Sequence, residues 1–215
     1  MGDGKAVEVP PPPLQEGKDK EEEPNDGTDP LKKKPVIPIT IEGLGTKEYR
    51  VSRVQMNWKE VWTAVHEIGD LELLARSEDQ VRHYMKSTQE MLTRFGEVVD
   101  RVLVEILGVP QSLNEKGLVV AVKSEKVLEE MKSKRVLRRN DFPYFFSEEI
   151  ECFVLWTGEP IEEAEARSIA EASLDPRVYE FIIFENPVRL RSVPGVSHWH
   201  ILVRTKPTTD TESST

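Results

Sequence analysis

The chain has 215 residues and a formal net charge of -10, with 29 basic side chains against 39 acidic ones. That balance excludes a general nucleic-acid binder, which needs a basic stripe over the phosphates. The single cysteine, Cys152, excludes an intrachain disulfide and any paired-cysteine metal or redox motif. No apolar stretch approaches the ~20 residues that span a bilayer, so a cytoplasmic protein with no membrane or nucleic-acid partner is expected, of a length that suits one domain with polar tails.

Residues 1–38 are rich in proline, glycine and charge and nearly free of large apolar groups. Such a segment cannot bury enough surface to offset its ordering entropy, so the sequence predicts a disordered tail, with Pro10–Pro13 as an extended polyproline stretch. The N-terminus has no apolar signal core. Gly2 is followed by Ala6 where N-myristoylation needs Ser or Thr.

The first predicted element is a helix over 57–70. Asn57 and Glu60 have capping-box spacing, Trp58, Val61, Trp62, Val65 and Ile68 mark one apolar face, and Gly69 is a natural stop. The strongest helical signal covers 77–110. Ser77 and Gln80 form a second box, and a stripe runs from Val81 through Tyr84, Met91 and Val98 to Leu107, with Gly96 as a dividing point. His66 reads as a boundary residue and His83 as a solvated one. A strand over 118–122 and a helix over 124–136, capped by Ser124, come next. The β-branched and aromatic runs at 150–157, 181–184 and 198–205 predict strands, and Pro160 and Pro176 bracket a helix. Together these predict an α+β fold: a helical N-terminal half packed on a small antiparallel sheet with additional helices, in one domain over 39–206, with 207–215 as a second tail.

The candidate site lies in "SVPGVSHWH", residues 192–200. A strand sends alternate side chains to opposite faces. Trp199, Ile201 and Val203 therefore share a core face, and His198, His200, Leu202 and Arg204 share the other. Two imidazoles on one face are candidate catalytic groups, because histidine titrates near neutrality. Arg204 is the candidate phosphate clamp, with Arg189 and Arg191 before the turn. Asn140, Asp141, Tyr144, Glu185 and Asn186, at the ends of neighbouring strands, complete the candidate binding set. Mild acidification is expected to strengthen anion binding by charging the histidines. Cys152 alternates with Ile150 and Val154 and reads as a core thiol. No cofactor is expected. His-x-His is a common metal-ligand pair, but Arg204 stands where a third ligand would follow, so no metal is assigned. Three chemistries compete at this face: a phosphorylated sugar or nucleotide, a metal ion, and a purely structural cluster in a regulatory or adaptor protein. The stretch also weakly resembles the end of a histidine-triad nucleotide hydrolase or transferase motif, without the third histidine.

The ordered set "NWKEVWTAVHEIGDLELLARSEDQVRHY", "FGEVVDRVL", "RNDFPYFF", "FVLWT" and "SVPGVSHWHILVR" resembles the fungal N-acetylglucosamine-induced protein 1 family, a domain-of-unknown-function family, over about residues 57–205. This chain has Phe142 where that family often has Trp, and "IFEN" where it tends to a Trp-Phe-x-Asn run. The resemblance implies a cytoplasmic fungal protein and supplies no catalytic set.

Overall fold

The computed structural model describes residues 26–207. The expectations for residues 1–25 and 208–215, Pro10–Pro13 included, lie outside them. The described chain is α+β, with short helices and small antiparallel sheets. Among these residues no helix is long and apolar enough to cross a membrane.

The first two strands, β1 (Val36–Ile41) and β2 (Gly45–Arg50), form an antiparallel hairpin that the sequence reading did not foresee. Its turn uses Gly43 and Gly45 at φ 81 and 76, where a side chain would be strained. Ile39 and Ile41 bury against Val81 and Met85 of the following long helix. The strand that delivers them starts at Val36, inside the segment expected to be tail. The boundary at residue 38 therefore cuts β1. Deleting residues 1–38 should lower the melting midpoint by several degrees, since it removes half of a strand that covers a helix; an unchanged midpoint in a thermal melt would contradict this.

Helix α1 (Trp58–Trp62) carries the expected box, with Asn57 Oδ1 accepting from Glu60 N–H at 3.1 Å and Glu60 Oε2 accepting from Asn57 N–H at 2.8 Å. It continues as a π-helical turn over Thr63–Ile68 and stops at Gly69. Helix α2 (Glu78–Leu92) begins with the Ser77–Gln80 box. The helical segment expected over 77–110 is divided around Gly96, the expected dividing point: after a break, α3 (Val98–Arg101) passes into a π-helical turn at Val102–Ile106. The break has a tertiary cause. The hairpin of β3 (Gln111–Leu113) and β4 (Val119–Ala121) presses on it. Gly96 N–H donates to Val119 O at 2.9 Å, and a Cβ on Gly96 would sit 2.9 Å from Val120 Cγ1.

Helix α4 (Glu125–Lys132) is capped by Ser124 as expected. It leads into β5 (Arg135–Arg139), whose basic residues the sequence reading gave to helix and turn. Then come β6 (Glu151–Thr157), α5 (Glu163–Ser173), β7 (Tyr179–Glu185) and β8 (Ser197–Thr205). The main sheet is antiparallel in the order β5-β6-β8-β7. Strand β8 is internal, so both of its edges are paired, and both of its faces are covered by packed side chains. Trp199, Ile201 and Val203 pack on Ala166 and Ala170 of α5. On the other face Leu202 joins Met56, Trp58 and Phe184 in a second core. The expected parity of β8 is what the fold uses. The expected polarity is not: the histidine face is also an interior face.

Candidate functional site

Cross-strand register sets the floor of the site. His198 lies opposite Trp156, which lies opposite Val136. One step along, Arg138, Val154, His200 and Phe184 form a single row across all four strands. Helices α2 and α3 and the π-helical turn pack over this end of the sheet and leave a cleft of about 740 Å³, its mouth included. Its apolar walls include Tyr84, Met91, Val98, Val102, Ile106, Phe142 and Trp156. π-Helical turns are rare and recur at functional sites; this one supplies Val102 and Ile106.

The two imidazoles differ in chemistry. Both are buried, 4% exposed for His198 and 7% for His200. His198 Nδ1 lies 2.9 Å from Val196 O. A carbonyl can only accept, so Nδ1 carries the hydrogen and Nε2 keeps its lone pair. Nε2 has no protein partner, yet the only sealed and unpartnered side-chain polar atoms among the described residues are Asn186 Oδ1 and Trp199 Nε1. His198 Nε2 therefore meets solvent, which for so buried a ring means the cleft. His200 is tied into the protein. Its ring stacks on Phe184 at 5.0 Å, and Asn186 Nδ2 donates to His200 Nε2 and to the Tyr144 hydroxyl, each at 2.9 Å.

Burial lowers the pKa of both rings; for His200, with help from His198 and Arg76, it reaches about 3. Both are neutral near pH 7, and mild acidification leaves His200 uncharged. The expected acid-strengthened binding is thereby corrected for His200. Acid acts on the fold instead. Below the ordinary histidine value of 6.5 the unfolded chain takes up a proton at His200 that the folded chain refuses. Stability is full above that pH and falls as the pH drops toward about 3. His200 alone should cost roughly 2 kcal/mol between pH 7 and 5. Urea melts at the two pH values, on wild type and on His200→Phe, measure it; equal loss in both chains would contradict this origin.

The positive charge comes from residues the sequence reading did not select. Arg76 sits just before α2. Its Nε and Nη2 donate to Phe142 O at 3.1 and 2.7 Å, and its guanidinium lies over the Tyr84 and Tyr144 rings at 5.1 and 5.4 Å. Among the described residues no carboxylate lies within ion-pair distance of it. Arg138 and Arg101 also line the cleft and share Asp141, at 3.0 and 3.3 Å. Arg139 lies on the opposite face, over Phe153. Arg101 also pairs with Glu105 at 3.1 Å, so of the three guanidiniums on this side of the sheet Arg76 alone has no anionic partner among the described residues.

Of the expected residues, His198, His200, Asn140 and Asp141 line this cleft, and Tyr144 and Asn186 sit directly behind His200. Asn140 closes a turn, its Oδ1 accepting from Phe142 N–H at 2.9 Å. Glu185 and Arg191 pair at 2.9 Å; Arg191 also donates to Asn186 O, so the two brace the β7 end. Arg189 is exposed and pairs with Glu72. Arg204 is elsewhere. It donates to Glu180 at 2.7 Å and lies over Trp58 at 4.9 Å, in a separate depression with Trp62. It shares the histidine face, but four residues of strand carry it ~13 Å away, under α1 rather than α2. Cys152 is a core thiol, pushed up to about 12 by burial. Among the described residues no three His, Cys, Asp or Glu side chains gather as a metal ion needs.

The sequence profile of the family described as "Protein of unknown function (DUF3605)" matches residues 57–204. A solved structure described as "Crystal Structure of HTC1" is 23% identical, covering 71% of this chain and 86% of that one with a TM-score of 0.46. No curated protein matches the chain.

Proposed function

This chain belongs to the DUF3605 family, and from the cleft that the matched region builds we propose that it binds a phosphorylated sugar or nucleotide. Within that family we place it with the fungal N-acetylglucosamine-induced proteins, on the order of the motifs from the Trp-rich helix to His-x-His, and in the cytoplasm. One α+β domain, ending near residue 206, carries the site.

The observation that supports this reading is Arg76: a guanidinium with no carboxylate partner among the described residues, held in place by a carbonyl and two tyrosine rings, at the edge of a cleft with neutral imidazoles on its floor. A guanidinium stays protonated at any physiological pH and offers a fork of donors that matches a phosphate. Arg138 and Arg101 add positive field, and His198 Nε2 adds an acceptor for a hydroxyl or N–H of the ligand. The apolar walls favour a ligand with a flat or apolar body beside its anion. His200 has the structural part, holding Asn186 and Tyr144 in place.

Calorimetric titration against AMP, UDP-N-acetylglucosamine, glucosamine 6-phosphate and inorganic phosphate tests the reading. At least one organic phosphate should bind, and more tightly than phosphate alone. If none binds, the reading is wrong and the polar cluster is structural.

A further inference from the structure

We propose that His198 is a nucleophile toward phosphorus, and that the substrates of this cleft are nucleoside 5′-phosphate esters or anhydrides. This rests on the binding reading above and assigns it a reaction.

Three features of the geometry point the same way. First, the tautomer of His198 is fixed: Nδ1–H is held by Val196 O at 2.9 Å, and the lone pair is on Nε2. Second, Nε2 meets the cleft with no group of the described residues bonded to it. The ring cannot turn away, because Trp156 packs on it with centroids 4.7 Å apart. Third, Arg76 and Arg138 lie on the same cleft, so charge that builds on phosphoryl oxygens has guanidinium donors nearby. The cleft's other imidazole and its carboxylate are both engaged. His200 Nε2 is occupied by Asn186, and Asp141 is shared between Arg138 and Arg101. The apolar walls of Tyr84, Met91, Val98 and Trp156 suit a nucleobase better than a bare sugar phosphate.

The step balances without any further reagent than water. The Nε2 lone pair forms an N–P bond, and the bond from phosphorus to the leaving oxygen breaks. That oxygen departs with the electron pair and takes a proton from water. The ring becomes an N-phosphoryl imidazolium, and its developing positive charge is met at Nδ1–H by the Val196 carbonyl. Water then attacks phosphorus, the N–P bond breaks, a proton passes to solvent, and the imidazole returns neutral. The net change is hydrolysis to a nucleoside monophosphate.

The p-nitrophenyl ester of thymidine 5′-phosphate is the probe, with thymidine 5′-phosphate itself as the binding control. The wild-type chain should release p-nitrophenolate. Rapid quenching should yield protein heavier by one thymidylyl group, acid-labile and located on His198 by peptide mass mapping. His198→Gln should lose turnover by at least about a hundredfold, and its affinity for thymidine 5′-phosphate, measured alongside, separates the loss of a binding contact from the loss of the nucleophile. Mapping the adduct on the wild-type protein decides the assignment even if the variant fails to fold. Full turnover in a folded His198→Gln variant overturns the proposal. So does a wild type that binds thymidine 5′-phosphate and releases no p-nitrophenolate; the binding reading would then survive without the reaction. Absence of any binding by the wild type removes both.

Discussion

Truncating Trp199 to alanine should cost the fold about 3–5 kcal/mol, the range for large aromatic truncations in a core. Trp199 is 8% exposed, near the start of the internal strand β8, and packs against Leu155, Ile183, Ile201 and the alanine face of α5. Ala166 and Ala170 are fully buried and have no side chain that could reach into the space left behind. The cavity would persist, which puts the cost toward the top of that range. Trp199→Phe should be much milder. The indole Nε1 is sealed without an acceptor, so phenylalanine removes area but also a buried unpaired donor. Denaturant melts of the two variants measure both effects. A small loss for Trp199→Ala would mean that β8 is out of register, and with it the histidine floor.

Replacing Arg76 by alanine should weaken the binding of an organic phosphate by about ten- to a hundredfold, the loss of a charge-assisted hydrogen bond worth roughly 1.5–3 kcal/mol. Arg76 carries the effect because the other two cleft arginines already share Asp141, so part of their field is spent at close range. Arg76 also holds the Phe142 carbonyl, so alanine would loosen the turn at Asn140 as well. Arg76→Lys separates the two contributions. It keeps the charge and loses the fork, and should fall between wild type and alanine. Titrating all three chains with the same phosphate measures this; equal affinity for wild type and Arg76→Ala would contradict the role.

Much of the fold could be read from local pattern. Both capping boxes, the Pro160–Pro176 helix and strands β6, β7 and β8 follow from side-chain chemistry within a few residues. The features that were missed are tertiary. Pro38 and the charged stretch before it disguise β1, yet Ile39 and Ile41 alternate correctly for a strand whose inner face meets α2. The break between α2 and α3 was expected at Gly96, but not the contact with β4 that accompanies it.

The site shows the same division. Alternation along β8 predicts which side chains share a face, and it did so for Trp199 and the histidines. It says nothing about what covers each end of that face, so Arg204 was grouped with histidines that it does not meet. Nor could it show that the face is interior, which lowers the pKa of His198 and His200. Arg76 reaches the cleft from more than a hundred residues away in sequence; only its place beside the Ser77 cap hinted that its position is fixed. Arg138 was more accessible to reasoning, since the alternation of "RVLRR" suits a strand with Val136 and Arg138 on one face.

In the proposed function a phosphorylated ligand enters the cleft between α2, α3 and the His198 end of β8. The most direct measurement follows the imidazole nitrogens by NMR during titration with the tightest organic phosphate found by calorimetry. The account predicts that free His198 is protonated at Nδ1 only, that its Nε2 signal moves as ligand is added, and that the His200 Nε2 signal, held by Asn186, moves far less. Saturable binding that leaves His198 unmoved and instead shifts the indole signals of Trp58 and Trp62 would place the ligand in the Arg204 depression and contradict the account.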